Sequence, residues 1–455
     1  MKKVVVAAAV LGSLVVAAVS LAAAGSLTYL DSFGGILTES TTASEASADG
    51  KSVYLSAYAD NTIRVYDRNA STGVLDFVED NTDDGGMSGP EAIAVSRDGA
   101  NVYVAAQLSD TLHVYSRNET TGAINIEETE TDDEGAVDFM EGTYDVEVSP
   151  DGKNVYAVGA DEDGIVVFGR NQSNGLINFI EAEHDGAGGI QFMNEPRALE
   201  ISPDGKNVYV SAHGDANIVV FNRNQQTGVL TRNEEQFGDP GILGPQELDV
   251  TPDGKYLVVA QNEGNAVLVY KRAADGSLTF QDSIADSATE LGSTIDVVAN
   301  PTGEIVYAVA ANAGIVVTLS LTGNGNIGPV ENDGDSLTEM GVADSVMLTP
   351  DGRDVYVTGS DYLNLFSVQP ELTLKGRRKQ DAGKLAVKAE VSADCRVTLT
   401  GRGLKRTGKN VDAGDVKKFR LRFKGDKPSG GNVTVKGKAE CGGRSDGDRL
   451  KVGLK

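Results

Sequence analysis

The 455-residue chain carries 67 Asp and Glu against 40 Lys and Arg, a formal charge of −27, with three His, two Cys and no Trp. The imbalance is local: residues 371–455 hold 23 Lys and Arg against 10 Asp and Glu, which leaves 17 basic against 57 acidic residues before them. An acidic body of this kind argues against nucleic-acid binding through that body, because phosphate neutralisation needs Lys and Arg, and three His without metal-ligand spacing give no support for a zinc centre.

Lys2 and Lys3, an apolar run from Val4 to about Leu21, and Ala22-Ala23-Ala24 form a secretory signal pattern, predicting cleavage after Ala24 and a secreted or cell-surface protein, periplasmic if the envelope has two membranes. An uncleaved anchor is the alternative, since the run nearly reaches bilayer-spanning length. No span is expected after cleavage.

From there one unit recurs. Ser202-Pro203-Asp204-Gly205-Lys206-Asn207-Val208-Tyr209-Val210 reads as strand, tight turn, strand, with Gly in the left-handed position that closes a type I turn and bulge. Its turn returns as Asp49-Gly50, Asp98-Gly99, Asp151-Gly152, Asp253-Gly254, Thr302-Gly303 and Asp351-Gly352, at steps of 49, 53, 53, 49, 49 and 49 residues. A period near 50 with strand-rich content predicts a β-propeller, one four-stranded blade per copy, hence seven blades.

Within one repeat, Ala198–Ser202 is the inner strand, Asn207–Ala212 the second, Ile218–Asn222 the third and Gly228–Glu234 the outer. Arg-Asn-x-x-Thr-Gly joins the third and fourth strands at Arg68, Arg117 and Arg223, with a related turn after Arg170, and reads as a hairpin connection. Asn69, Asn118 and Asn171 fall in glycosylation sequons, but the spacing is constrained by the turn, and turn formation is the reading preferred over glycosylation. The seventh repeat lacks an outer strand before Pro370, and Gly25–Ser32 matches the outer strand Gly276–Ser283. The N-terminal strand is therefore expected to complete blade seven and bury the open edges.

Residues 371–383 read as a basic linker and 384–455 as a small β-sandwich, immunoglobulin-like, with Cys395 and Cys441 placed for a bridge in an oxidising compartment. The predicted fold class is all-β, a seven-bladed propeller over 25–370 followed by this sandwich.

The repeats Val148–Tyr156 and Ile201–Val210 resemble those of the lactonase-like, YVTN-type seven-bladed propellers, secreted surface proteins grouped with 6-phosphogluconolactonase and carboxymuconate-cyclising enzymes. The resemblance implies the propeller fold over 25–370 and a ligand site at the channel mouth. The absence of Trp disfavours quinoprotein, sialidase and WD40 propellers. Enzymatic members often carry His just before the inner strand. Counting back seven residues from each turn gives Thr42, Glu91, Tyr144, Arg197, Gln246, Ile295 and Asp344, none of them His.

In that ring Arg197 is the one cation. It suits a substrate carboxylate, with Glu91 or Asp344 as base and Tyr144 and Gln246 as ligand contacts; an interblade salt bridge is the structural alternative. His213, at the end of the second strand of the same blade, is the one histidine placed for catalysis; His113 reads as structural and His184 as solvated. Carboxylates crowd the loops of this face, densest at Asp83-Asp84 and at Asp161 and Asp163, and Ca²⁺ is the one cofactor such loops suit. A solvated acidic surface accounts for them without a metal.

The function expected from the sequence is a monomeric, non-enzymatic binding or scaffold module, attached by its basic tail to an anionic cell-envelope polymer, or binding a cationic protein partner on its acidic face. The alternative is a lactonase or muconate-cyclising enzyme of small hydroxy- or carboxy-acids. Phe419 and Phe423 are too few for stacking, so specific nucleic-acid readout by the tail is not expected.

Overall fold

A computed structural model describes residues 27–34, 41–235, 241–285, 291–332, 342–359 and 362–368, and beyond them only strand segments between 372 and 454. The signal segment and most of the linker lie outside the described residues.

Seven antiparallel four-stranded sheets follow one another around a ring. Their inner strands are Thr41–Ala46, Pro90–Val95, Thr143–Val148, Pro196–Ile201, Pro245–Val250, Thr294–Ala299 and Ala343–Leu348. Each second strand is buried over all six residues, because both of its faces pack on neighbouring blades. Hence these strands are continuous apolar runs rather than alternating ones. Every turn Gly counted in the sequence takes positive φ, between 66° and 73°. The closure read from the sequence is present: Leu27–Gly34 pairs antiparallel with Tyr362–Val368, in register from Leu27 with Val368 to Gly34 with Tyr362.

The Arg of the hairpin motif does more than form a turn. Arg223, 5% exposed, reaches back into the preceding blade, donating from Nε to Tyr156 Oη at 2.7 Å and from Nη2 to Asp151 at 2.9 Å and Asn154 Oδ1 at 2.7 Å. Its Nη1 holds its own blade's turn at Gly205 O, and Tyr156 donates onward to Gly228 O at 2.8 Å. A side chain at Gly228 would start 2.1 Å from Asn154 Nδ2, which is why the hairpin ends in Gly. The same clip recurs at Arg117 with Tyr54 and Asp49, Arg170 with Tyr103 and Asp98, and Arg272 with Tyr209 and Asp204. Across the ring closure Arg68 pairs with Asp354 and Asp351. At the two remaining interfaces buried Leu321 and Val368 end the third strand instead. Asn69, Asn118 and Asn171 turn their side-chain oxygens onto local backbone N–H groups, the turn role expected of them.

After the propeller the strands form a three-stranded and a six-stranded sheet, β-structured as expected, but Leu372–Lys375 and Lys379–Gln380, within the stretch expected as a linker, are strands of these sheets. An immunoglobulin-like packing of the two, and the side chains of Cys395 and Cys441, fall outside the described residues. The register Arg396 with Glu440 leaves the two cysteines as the next residues along adjacent strands.

Removing one partner of a buried, hydrogen-bonded ion pair strands the other. Arg223→Ala is therefore expected to cost about 3–5 kcal/mol in urea unfolding. Arg64→Ala, which breaks a half-exposed pair with Asp80, should cost under about 1 kcal/mol. Equal losses would refute the clip's role.

Candidate functional site at the channel mouth

The seven inner strands line a central cavity of about 540 Å³, and all seven residues found by counting back from the turns are among its lining residues. Each falls at a register shift in its strand: Glu91 between Pro90 and Ala92, Tyr144 between Thr143 and Asp145, Arg197 between Pro196 and Ala198, Ile295 between Thr294 and Asp296. Thr42, Gln246 and Asp344 lie in the corresponding wider shifts. A bulge adds a residue to one strand and re-aims its side chain, so successive residues both face the channel.

Three of these residues form a connected group. The Tyr144 phenol lies near enough to the Glu91 carboxyl to act on its ionisation, and the Arg197 guanidinium lies 5.6 Å from the centre of the Tyr144 ring. Burial raises the Glu91 carboxyl to about 7, with Tyr144 and Arg197 pulling it down and Asp344 pushing it up. Burial also lifts Asp344 to about 7. Two carboxyl groups poised near neutrality, beside a phenol and a guanidinium, can take and give protons at ordinary pH.

Glu195, which sequence reasoning missed, organises the rim. It accepts from Arg197 Nε at 3.0 Å and from Arg197 Nη2, and its other oxygen is 3.4 Å from His213 Nδ1. It sits two residues before Arg197, just outside the strand Pro196–Ile201, in a left-handed conformation at φ 54°. Burial would raise Glu195, but the Arg197 contacts and His213 outweigh it and hold the carboxylate ionised. His213 is kept neutral by burial first and by Arg197 second. It lies beside Glu195 and is not among the residues lining the cavity.

Deeper in the channel lies an acidic wall also missed in the sequence. Asp145, Glu247 and Asp296 sit six residues before their turns, and Glu45, Glu147, Glu200 and Asp249 four before theirs. They answer a need of the backbone. An inner strand is the edge of its sheet, and its inward N–H groups have no strand partner. Asp145 accepts from Leu199 N of the next blade at 2.7 Å, Asp296 from Val346 N at 2.6 Å, Asp249 from Ala299 N and Glu200 from Val250 N. Although water reaches these groups, protein encloses them, and burial raises Asp145 to about 6, Asp249 and Asp296 to about 7 and Glu45 to about 8.

Many acids of the mouth loops are capping groups too. Asp163, at φ 57°, accepts from Glu195 N at 2.9 Å, and Asp110 from Gly142 N at 2.7 Å. Asp83 takes a left-handed conformation before the short 3₁₀ turn Asp84–Gly86, and Asp161 lies against Gly142. Among the described residues, the carboxylates whose ligand atoms converge within 4.8 Å are Asp132, Asp138 and Glu162, a set that includes the middle residue of the Asp161–Asp163 stretch but none of the four singled out for Ca²⁺. His113 is buried between Thr111 and Thr129, and His184 stacks on Phe139 with ring centroids 4.0 Å apart. Among the described residues no helix is long and apolar enough to cross a membrane.

The lactonase seven-bladed β-propeller model matches residues 13–140 and 126–243, half of the chain. The chain belongs to the lactonase family of seven-bladed β-propellers. It is 38% identical over 90 residues to a 6-phosphogluconolactonase of Formosa agariphila, a stretch covering 19% of this chain and 24% of that relative. Two solved structures share the fold: a putative 6-phosphogluconolactonase of Bacteroides uniformis, with TM-score 0.53, 18% identity and 64% of this chain covering 83% of that one, and the periplasmic gluconolactonase of Pseudomonas aeruginosa, with TM-score 0.54, 17% identity and coverage of 64% and 84%.

The channel of this lactonase-family propeller sets its acid–base behaviour. Carboxyls with raised folded pKa contribute stability that is complete below about pH 4 and lost as pH rises through about 6 to 8. The clip aspartate Asp49 acts in the opposite sense: burial opposes ionisation, but hydrogen bonds and Arg117 bring it to about 2, so its contribution holds above about pH 4 and is lost toward pH 2. Calorimetric melting should therefore peak near about pH 4 and fall on both sides. A midpoint flat from pH 5 to 8 would contradict the buried channel.

Proposed function

We propose that the propeller hydrolyses lactones of small hydroxy acids at its channel mouth. The observation that carries this reading is the Glu91–Tyr144–Arg197 group: a carboxyl near neutral pKa, a phenol and a guanidinium, brought into one cavity by bulges in three successive inner strands. Membership of the lactonase family and the names of its relatives support it.

In this reading Glu91, ionised, takes a proton from water as the hydroxide attacks the lactone carbonyl carbon. The carbonyl π electrons move to oxygen, and the resulting oxyanion is stabilised by Arg197. Collapse restores the carbonyl and breaks the ring C–O bond, and the leaving alkoxide takes a proton from Asp344 or from protonated Glu91. Water is consumed and one hydroxy acid is released, with no redox change. Tyr144 keeps Glu91 and Arg197 in place through its hydroxyl and its ring face. Glu195 and His213 orient Arg197 and are positioning residues.

A pH-stat assay against spontaneous hydrolysis tests this. Glu91→Gln should lower kcat/KM by about 10²–10⁴-fold, and the wild-type profile should rise with pH through about 7. Undiminished activity in Glu91→Gln would remove the assigned base. Wild-type rates equal to the spontaneous one would return the protein to the binding-module reading.

A further inference from the structure

The cavity is strongly one-sided in hydrogen-bonding and charge. Nine carboxyl-bearing residues line it against one cation, Arg197, and that guanidinium already bonds to Glu195. Backbone N–H groups, the other usual anion donors, are largely occupied. Leu199, Val250, Ala299 and Val346 donate to channel carboxylates, and Ala43, Ala198 and Ser345 donate to second-strand hydroxyls. What remains toward the lumen is mostly acceptor.

A phosphomonoester carries about −1.5 to −2 charges at pH 7 and offers mainly acceptor oxygens, so it needs a cluster of donors. Burial keeps Glu45, Glu147, Glu200 and Glu247 protonated to higher pH, but once Asp145, Glu91, Asp344, Asp249 and Asp296 ionise through about 6 to 7 the cavity would meet it with like charge, and at the effective dielectric of such sites one unscreened pair costs on the order of a tenfold or larger loss of affinity. Sugar hydroxyls are the opposite case, since each brings a donor that a carboxyl oxygen can accept. We infer that this propeller selects uncharged polyhydroxy lactones and excludes their phosphorylated counterparts.

This selectivity rests on the lactonase reading for its chemistry, though not for its cause, which is the carboxyl wall. It departs from the phosphorylated substrate implied by the name of the Formosa agariphila relative. The facing groups are Glu91 and Asp344 at the mouth with Asp145, Glu247 and Asp296 below, and beneath them the row from Glu45 to Asp249. Because burial delays ionisation of Glu91, Asp344, Asp249 and Asp296 to about 7, the repulsion should strengthen as pH rises through neutrality.

The experiment compares glucono-δ-lactone with its 6-phosphate on the full chain. The neutral lactone should have a kcat/KM at least about tenfold higher at pH 7.5, with the ratio growing from pH 6.5 to 8.5. Gln246→Arg, which adds a cation to the ring next to Arg197, should move that ratio at least about tenfold toward the phosphate. Equal or better turnover of the phosphorylated lactone, or a ratio indifferent to pH and to Gln246→Arg, would overturn the inference and leave lactone hydrolysis standing. If neither lactone is turned over, the hydrolytic reading falls. Calorimetry with gluconolactam and its 6-phosphate then decides selectivity: tighter binding of the neutral lactam supports it, and equal binding, tighter binding of the phosphate, or no binding of either overturns it.

Discussion

Every blade of this ring ends at its inner strand in an edge that no further strand covers, and the polar groups of seven such edges must be satisfied inside the channel. Much else follows from that constraint. Capping by carboxylates of the preceding blade, as Asp145 caps Leu199 N and Asp296 caps Val346 N, ties neighbouring inner strands together without another strand. It also concentrates acid in a protein-walled space, where burial delays its ionisation to about neutrality. The group suited to catalysis, Glu91, has its pKa set by the same enclosure. One structural solution thus supplies the interblade caps, the proton-exchanging carboxyls and the donor-poor character of the site.

The outer part of the ring is held differently. Five interfaces carry the buried Arg clip, anchored on a turn Asp, and two are closed by apolar residues at Leu321 and Val368. Charge is therefore used in two opposed ways. At the turns Asp49 is compensated and kept ionised by hydrogen bonds and Arg117, whereas in the channel the carboxyls have backbone caps and little cationic compensation. The first arrangement stabilises a charged state, the second resists one.

Repeat length and turn chemistry made the fold legible in the sequence, because a period near 50 is imposed by four strands and their turns. Even the closing strand was readable from the likeness of Gly25–Ser32 to Gly276–Ser283. The ring from Thr42 to Asp344 was found by the same counting, since the bulge sits at one distance from each turn. Partners across blades were harder to read. Arg223 looked like a hairpin residue because its partners, Tyr156 and Asp151, are 67 and 72 residues away. The acidic wall was hidden for another reason: Glu147 and Glu200 alternate with apolar residues as any solvent-facing strand side would, and only the ring closes that side into a channel. Glu195 was overlooked because it lies just before the inner strand, in a left-handed residue at φ 54°, and local spacing does not announce its pairing with Arg197.

The central claim is that enclosure in the channel mouth gives Glu91 a near-neutral carboxyl. Carbon-13 NMR titration of glutamate carboxyls, with the Glu91 signal assigned by its loss in Glu91→Gln, measures this directly. The account predicts a midpoint at about 7. A midpoint near the ordinary value of about 4.3 would contradict it.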